Sequence, residues 1–160
     1  MSDKKKLVEA IIEQLQKELD VHTKAAHAAL EAATHSENVA EDHHDTRGLE
    51  ASYLAGAQAN RAAELQRLIQ VYKFMLLPSY ESDHLIGPGA LIELDLNNKR
   101  SFYFLVPQGG GIAVVVDGQP IRVITPLAPL GDALLGRSVG ETFEVESNGV
   151  SRTYRIVAVS

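Results

Sequence analysis

Apolar positions in the first 35 residues recur in alternating steps of four and three. Val8, Ile12, Leu15, Leu19, His22, Ala26, Ala29 and Ala33 form one a/d line of a heptad pattern. A second line, Leu54, Ala57, Arg61, Leu65, Leu68, Tyr72 and Met75, keeps similar spacing with a stutter near Arg61. Between the two lies the polar run Glu41-Asp42-His43-His44-Asp45-Thr46-Arg47-Gly48, which carries the Asp and Thr types that cap helix N-termini. The pattern predicts an antiparallel coiled-coil helical hairpin over residues 1–78, turning at about 40–47. Folded about residue 43, the bulky stretch Val8–Leu19 would face Leu65–Met75. The small Ala25–Ala33 would face Tyr53–Ala59. At ~1.5 Å per residue, such an arm reaches ~50 Å, more than a compact domain of this size requires.

The pattern changes near Pro78. All six Pro and ten of the twelve Gly lie at or beyond it, and helical spacing gives way to short alternating runs. The predicted strands are Leu91–Leu96, Ser101–Val106, Ile112–Val116, Ile121–Ile124, Thr142–Glu146 and Ser151–Val159. Turns are expected at Asn97-Asn98, Gly109-Gly110-Gly111, Asp117-Gly118 and Asn148-Gly149. Asp132–Leu135, closed by Gly136, reads as one short helix with a glycine C-cap. Residues 79–160 therefore form a β-rich domain with a small bent sheet on a short helix, and the whole chain is α+β.

Composition narrows the function. The 160 residues carry a net charge of −6, split evenly as −3 before and after residue 78. Neither half has the basic footprint of a protein that coats nucleic acid. The absence of Cys excludes thiolate catalysis, Cys-based zinc sites and disulfides. No apolar run reaches the ~18 residues of a membrane span, and Glu9 and Glu13 interrupt any signal-peptide core, so a cytoplasmic protein without membrane contact is expected. Charge is uneven along the hairpin. Ala25–Thr46 contains no Lys or Arg but includes Glu31, Glu37, Glu41, Asp42 and Asp45. The distal end is locally acidic.

Other chemistry-bearing residues fall into no known ligand or nucleophile pattern. His22 and His27 are five apart, a poor helical spacing for a shared metal, and His22 reads as a packed polar residue on the seam. His43 and His44 read as solvated turn residues. Gly109–Gly111 reads as a hairpin loop, and Ser52 and Ser101 have no His–acid partners that would make them nucleophiles.

One stretch points to a family. Ala128-Pro129-Leu130-Gly131-Asp132-Ala133-Leu134-Leu135-Gly136-Arg137-Ser138-Val139-Gly140 resembles the Ser-Pro-Leu-Gly-x-Ala-Leu-Leu-Gly-Lys-x-x-Gly signature of the Gre transcript-cleavage factors. The order of parts is similar too, with a helical hairpin first and an FKBP-like β domain second. Glu50-Ala51-Ser52-Tyr53 partly resembles the Asn-Ala-Glu-Tyr that follows that family's acidic pair. The resemblance implies a transcription elongation factor that is not itself an enzyme and has RNA polymerase as its partner. Such a factor binds through the C-terminal domain, here at Ala128, Pro129, Leu130, Gly131 and Asp132, and inserts its coiled coil into the secondary channel.

It also implies that tip carboxylates act in the polymerase active site on the RNA 3′ end of a backtracked complex. The carboxylates that match are Asp42 and Asp45, with Glu41 third, sharing Mg²⁺ only in the polymerase complex; the chain would hold no cofactor of its own. Closely spaced carboxylates suit Mg²⁺, a hard cation that takes one or two of them beside phosphates and water. Asp-x-x-Asp replaces the family's Asp-x-x-Glu, His43-His44 stands where Leu-Lys is common, Asp132 replaces Arg, and Ala128 replaces Ser. Two other readings stay open: a secondary-channel modulator without cleavage activity, and a structural protein whose hairpin is an interaction element. Acids at a turn also cap and solvate helices without further chemistry. A monomer is the expected state.

Overall fold

The computed structural model describes residues 2–38 and 47–160. Helix α1 runs Ser2–Asn38 and helix α2 Arg47–Lys73. They are followed by β1 (Leu91–Leu96), β2 (Lys99–Leu105), β3 (Ala113–Val116), β4 (Gln119–Ile124), α3 (Pro129–Leu134), β5 (Thr142–Ser147) and β6 (Val150–Val159). The chain packs as two compact units. One is Ile12–Gln70; the other joins Met1–Ile11 to Val71–Ser160. Among the described residues, no helix is long and apolar enough to cross a membrane.

In the hairpin unit, Leu15, Leu19, Ala29 and Ala33 of the expected α1 seam are buried, and His22 is half-buried. The expected α2 seam is wrong in its distal part. Leu54 is 53% exposed, and Ala57 and Arg61 are exposed. The covered positions are instead Gly48, Ala51, Ala55, Gln58, Ala62, Leu65, Ile69 and Tyr72, an unbroken alternation of threes and fours with no stutter. The bulky Leu54 suggested a line one residue away from the true one, which is built from Gly, Ala and an amide.

Two cross-helix contacts fix the antiparallel register. His22 Nδ1 lies 2.5 Å from Gln58 Oε1. The Arg61 guanidinium is 3.8 Å from Glu18. Both put the α1 residue opposite an α2 residue six or seven positions earlier than folding about residue 43 predicts. The consequence for stability is uneven. Leu15, Leu19, Leu65 and Ile69 each bury a side chain worth ~1.5–3 kcal/mol, whereas Ala29, Ala33, Gly48 and Ala55 bury little each.

In the second unit the six strands form one sheet in the order β3-β4-β2-β1-β6-β5. All neighbours are antiparallel except β2 and β4. Three two-residue hairpin turns have left-handed backbone: Asn97-Asn98 (φ 52° and 63°), Asp117-Gly118 (49° and 78°) and Asn148-Gly149 (52° and 74°). Such paired positive φ values match the right-handed strand twist, and Asn, Asp and Gly tolerate them. Each turn therefore closes on its immediate neighbours, and β2, β4 and β6 begin one or two residues earlier than the alternation predicts. Gly109–Gly111 is not a hairpin loop. Because β4 lies between β2 and β3, this segment carries the chain past it to the sheet edge.

One face of the sheet holds a core of Ile92, Leu94, Leu105, Phe143, Val145, Tyr154 and Ile156 with Leu134 of α3. The alternate residues Phe104, Val114, Ile121 and Val123 are buried as well. In the same unit lie the buried Leu7, Ile11 and Tyr72 from the helix bases. Polar contacts tie those bases down: Tyr72 donates its hydroxyl to Gln108 O at 2.9 Å, and Lys6 pairs with Asp117 at 3.1 Å.

Lys4 is the most unusual of these anchors. It is only 4% exposed, its ammonium donates to Pro78 O (2.6 Å) and Gly89 O (2.8 Å), and it sits 5.0 Å from the Tyr80 ring centre. Burial lowers its pKa from 10.5 to about 8. The unfolded chain then binds the proton more tightly, so stability should rise as pH climbs from about 8 towards 10.5, and this gain is lost as pH falls through 8. Urea unfolding of the wild type should show a higher midpoint at pH 9.5 than at 7.5. Lys4→Met should flatten that difference and, by leaving two carbonyls without a donor, cost ~1–3 kcal/mol.

Candidate functional site

The residues singled out by sequence fall in two places. Glu41, Asp42 and Asp45, with His43 and His44, lie outside the described residues. The helices on either side end at Asn38 and begin at Arg47, so the acidic run occupies the link of the antiparallel hairpin. Of the other histidines there, His22 is committed to Gln58, with Nδ1 donating to the amide oxygen, and the exposed His27 lies 3.3 Å from Glu31.

Ala128–Asp132 lies in the sheet unit, and all of it but Ala128 is helical. Pro129 is the first residue of α3, a position where its missing N–H costs nothing and its fixed φ suits the helix. Asp132 N–H donates to Ala128 O at 2.9 Å, closing the first turn. The helix thus starts three residues before the predicted Asp132. The preceding bend is held by Thr125, which is 7% exposed; its carbonyl accepts from Ala128 N–H (3.1 Å) and its hydroxyl from Leu127 N–H (3.3 Å).

Gly131 is buried against that bend. A Cβ there would come within 2.0 Å of the Thr125 carbonyl oxygen and 2.6 Å of its carbon. No L side chain fits. The glycine is therefore required by close backbone approach rather than by a positive φ.

The motif's side chains divide by role. Leu134 is fully buried, and Leu130 packs partly against the same core. Leu135, the expected last residue of the helix, is 38% exposed because the helix stops at Leu134 and Leu135 turns out in extended backbone (φ −56°, ψ 129°). Gly136 follows with φ 75°, and its N–H crosses to Ile86 O at 2.9 Å instead of returning to the helix. Arg137 donates from Nε to Ala133 O (2.5 Å) and lies 4.8 Å from the Phe143 ring centre, so it braces α3 against β5. Outward-facing residues are Pro129, Asp132 and Leu127, the last 96% exposed. Leu127 was missed by sequence reasoning; an apolar residue between Pro126 and Ala128 looks like core until the bend turns it outward.

Outside these places, Glu81, Asp83 and His84 bring ligand-type atoms within 4.8 Å of one another, but all three are exposed. His84 Nδ1 already accepts the Glu81 amide at 3.0 Å. That group reads as a local turn.

Comparison with known proteins follows the same geography. Residues 86–160, which span all six strands and α3, match the family described as transcription elongation factor, GreA/GreB, C-terminal domain. Similar solved structures include GreA factor homolog 1 (Gfh1) of Thermus thermophilus, 24% identical over 93% of this chain and 94% of that one, with a TM-score of 0.38. Thermus aquaticus Gfh1 is 24% identical over 94% of each chain, also with a TM-score of 0.38. The GreA/GreB elongation factor of Nitrosomonas europaea is 22% identical over 60% of this chain and 78% of that one, with a TM-score of 0.37. No curated protein sequence matches the chain significantly. Residues 86–160 therefore carry the C-terminal domain of the GreA/GreB transcription elongation factors.

Proposed function

We propose that the chain binds RNA polymerase and stimulates cleavage of backtracked RNA, with Asp42, Asp45 and Glu41 acting inside the polymerase's secondary channel. The observation that carries this reading is the family match over residues 86–160. The acidic link between two antiparallel helices supports it. In this reading the exposed start of α3, Pro129 and Asp132 with Ala128, Leu130 and Gly131 behind them, docks on the polymerase. The hairpin link then presents its carboxylates to the RNA 3′ end.

The donor set fits the metal such chemistry uses. Three carboxylates within five positions offer hard oxygen ligands, and Asp42 and Asp45 are three apart. Bound in the polymerase site, Mg²⁺ would stabilise charge on the oxygens that attack and leave. The chain's own part is to bring negative oxygen ligands to that site; it is not an enzyme alone.

A second reading rests on the short reach of Asp45, one methylene less than the family's Glu. In that case the chain occupies the channel and slows nucleotide addition without cleavage. The deciding experiment incubates a stalled, backtracked polymerase complex carrying 3′-labelled RNA with the protein and Mg²⁺. Release of short 3′ fragments is expected. Slowed extension without fragments selects the modulator, and failure to compete for polymerase removes both readings.

A further inference from the structure

We propose that the free edge of β3 is a docking strand for an extended acidic polypeptide segment, which adds to the sheet beside Arg122 and Arg152. β3 and β5 are the two edges of the sheet. Natural edges are usually blunted by charge, Pro or a cover. β5 carries Glu144 and Glu146, whereas β3 is Ala113-Val114-Val115-Val116, four apolar residues with neither charge nor Pro. Val115 is 65% exposed while Val114, on the opposite face, is buried.

The backbone of this edge is positioned to pair. The two-residue turn Asp117-Gly118 makes Val116 and Gln119 the closing hydrogen-bonded pair, and Val114 with Ile121 follows in the same phase. Val123 N–H donating to Ile112 O at 2.7 Å keeps that phase. Ala113 and Val115 therefore turn their N–H and C=O groups away from β4. Pro120, which has no N–H, sits opposite Val115, where this phase requires none. The outward groups of Ala113 and Val115 suit two rungs of an added antiparallel strand.

Charge identifies the occupant. Ala113, Arg122 and Tyr103 are lateral neighbours on one sheet face. There they line a cleft of about 500 Å³ with Arg152, Tyr154 and the start of α3. Among the described residues, no Asp or Glu lines that cleft, and neither arginine forms an ion pair. In a chain of net charge −6, this is a local cationic site. A strand added to β3 would direct alternate side chains over it, so carboxylates there are favoured. Backbone pairing selects a polypeptide over RNA. A four-residue edge alone buries far less than the ~1,200 Å² of a stable protein pair, which argues against a second copy.

The test uses the full chain and a fluorescein-labelled peptide, Asp-Val-Glu-Val-Asp-Val, followed by anisotropy and by amide exchange. Binding should slow exchange at Ala113 and Val115. Val115→Pro, which removes an outward N–H that β4 does not use, should weaken binding about tenfold or more. Arg122→Ala should also weaken it, and a Lys-for-acid peptide should fail to bind. A peptide N-methylated at its pairing amides, which needs no variant, should fail as well. Equal binding by the N-methylated or the Lys peptide would overturn the proposal, as would an unchanged Val115→Pro affinity. So would displacement by oligouridine, or a dimer that protects Ala113 and Val115 without peptide.

Discussion

Asp42→Asn and Asp45→Asn should each reduce stimulated cleavage of backtracked RNA by about 10²-fold, while leaving competition for RNA polymerase unchanged. The amide keeps the size of the side chain and one oxygen but loses the negative charge that a divalent cation attracts. Local acidity makes the charge matter: from Ala25 to Thr46 no Lys or Arg offsets it. Glu41→Gln should have a smaller effect, because it lies outside the three-residue spacing. Asp45→Glu, which restores the family's longer side chain, should match or exceed the wild type if reach limits the reaction. Fragment release measured against polymerase occupancy separates these results. Wild-type cleavage by both Asn variants would remove the link carboxylates from the mechanism, and wild-type cleavage by His43→Ala and His44→Ala is expected.

Gly131→Ala should be the most damaging single methyl in the sheet unit, costing about 3–5 kcal/mol and lowering its Tm by about 10 °C or more. The added Cβ meets the carbonyl of Thr125 at 2.0 Å, and Thr125 is itself buried and holds the bend through two hydrogen bonds. Nothing flexible is available to give way. Two other glycines serve as controls. Gly118→Ala meets no atom within 4 Å, but its φ of 78° costs an L residue ~1–2 kcal/mol. Gly56→Ala lies in open space on α2 and should stabilise the hairpin by ~0.5–1 kcal/mol. Thermal unfolding of the three variants checks the order, and a mild Gly131→Ala would mean that the Thr125 bend moves freely.

The Gly131 result bears on how the chain can be read. The motif around it is visible in sequence, where its Pro and Gly suggest a turn. Only the fold shows that Pro129 opens a helix and that Gly131 is needed for contact with a residue six positions earlier. Leu127 and Leu135 illustrate the same limit. Both are apolar residues in an apolar stretch, yet the bend at Thr125 and the end of α3 send them outward.

The strands were legible because their period of two and the Asn-Asn, Asp-Gly and Asn-Gly turns agree. The α1 seam was legible because Leu15 and Leu19 stand out among polar neighbours. The α2 seam was not, because Gly48, Ala51, Ala55 and Ala62 carry almost no hydrophobic signal. A helix face built from small residues is set by its partner's closeness, and a single exposed Leu54 outweighs it in any count of apolar spacing.

By itself the sequence determined the helical hairpin, the six strands, the acidic link and the family of the C-terminal half. Each of these rests on local periodicity, turn chemistry or a contiguous motif. Tertiary structure decided which α2 residues meet α1, why Gly131 must be glycine, how Lys4 is held between two carbonyls, and that β3 lies at the sheet's edge beside Arg122. Three of these depend on segments far apart in the chain, and the Gly131 contact on how a bend six residues earlier folds back; the free energy of such contacts leaves no local mark on the residues that make them.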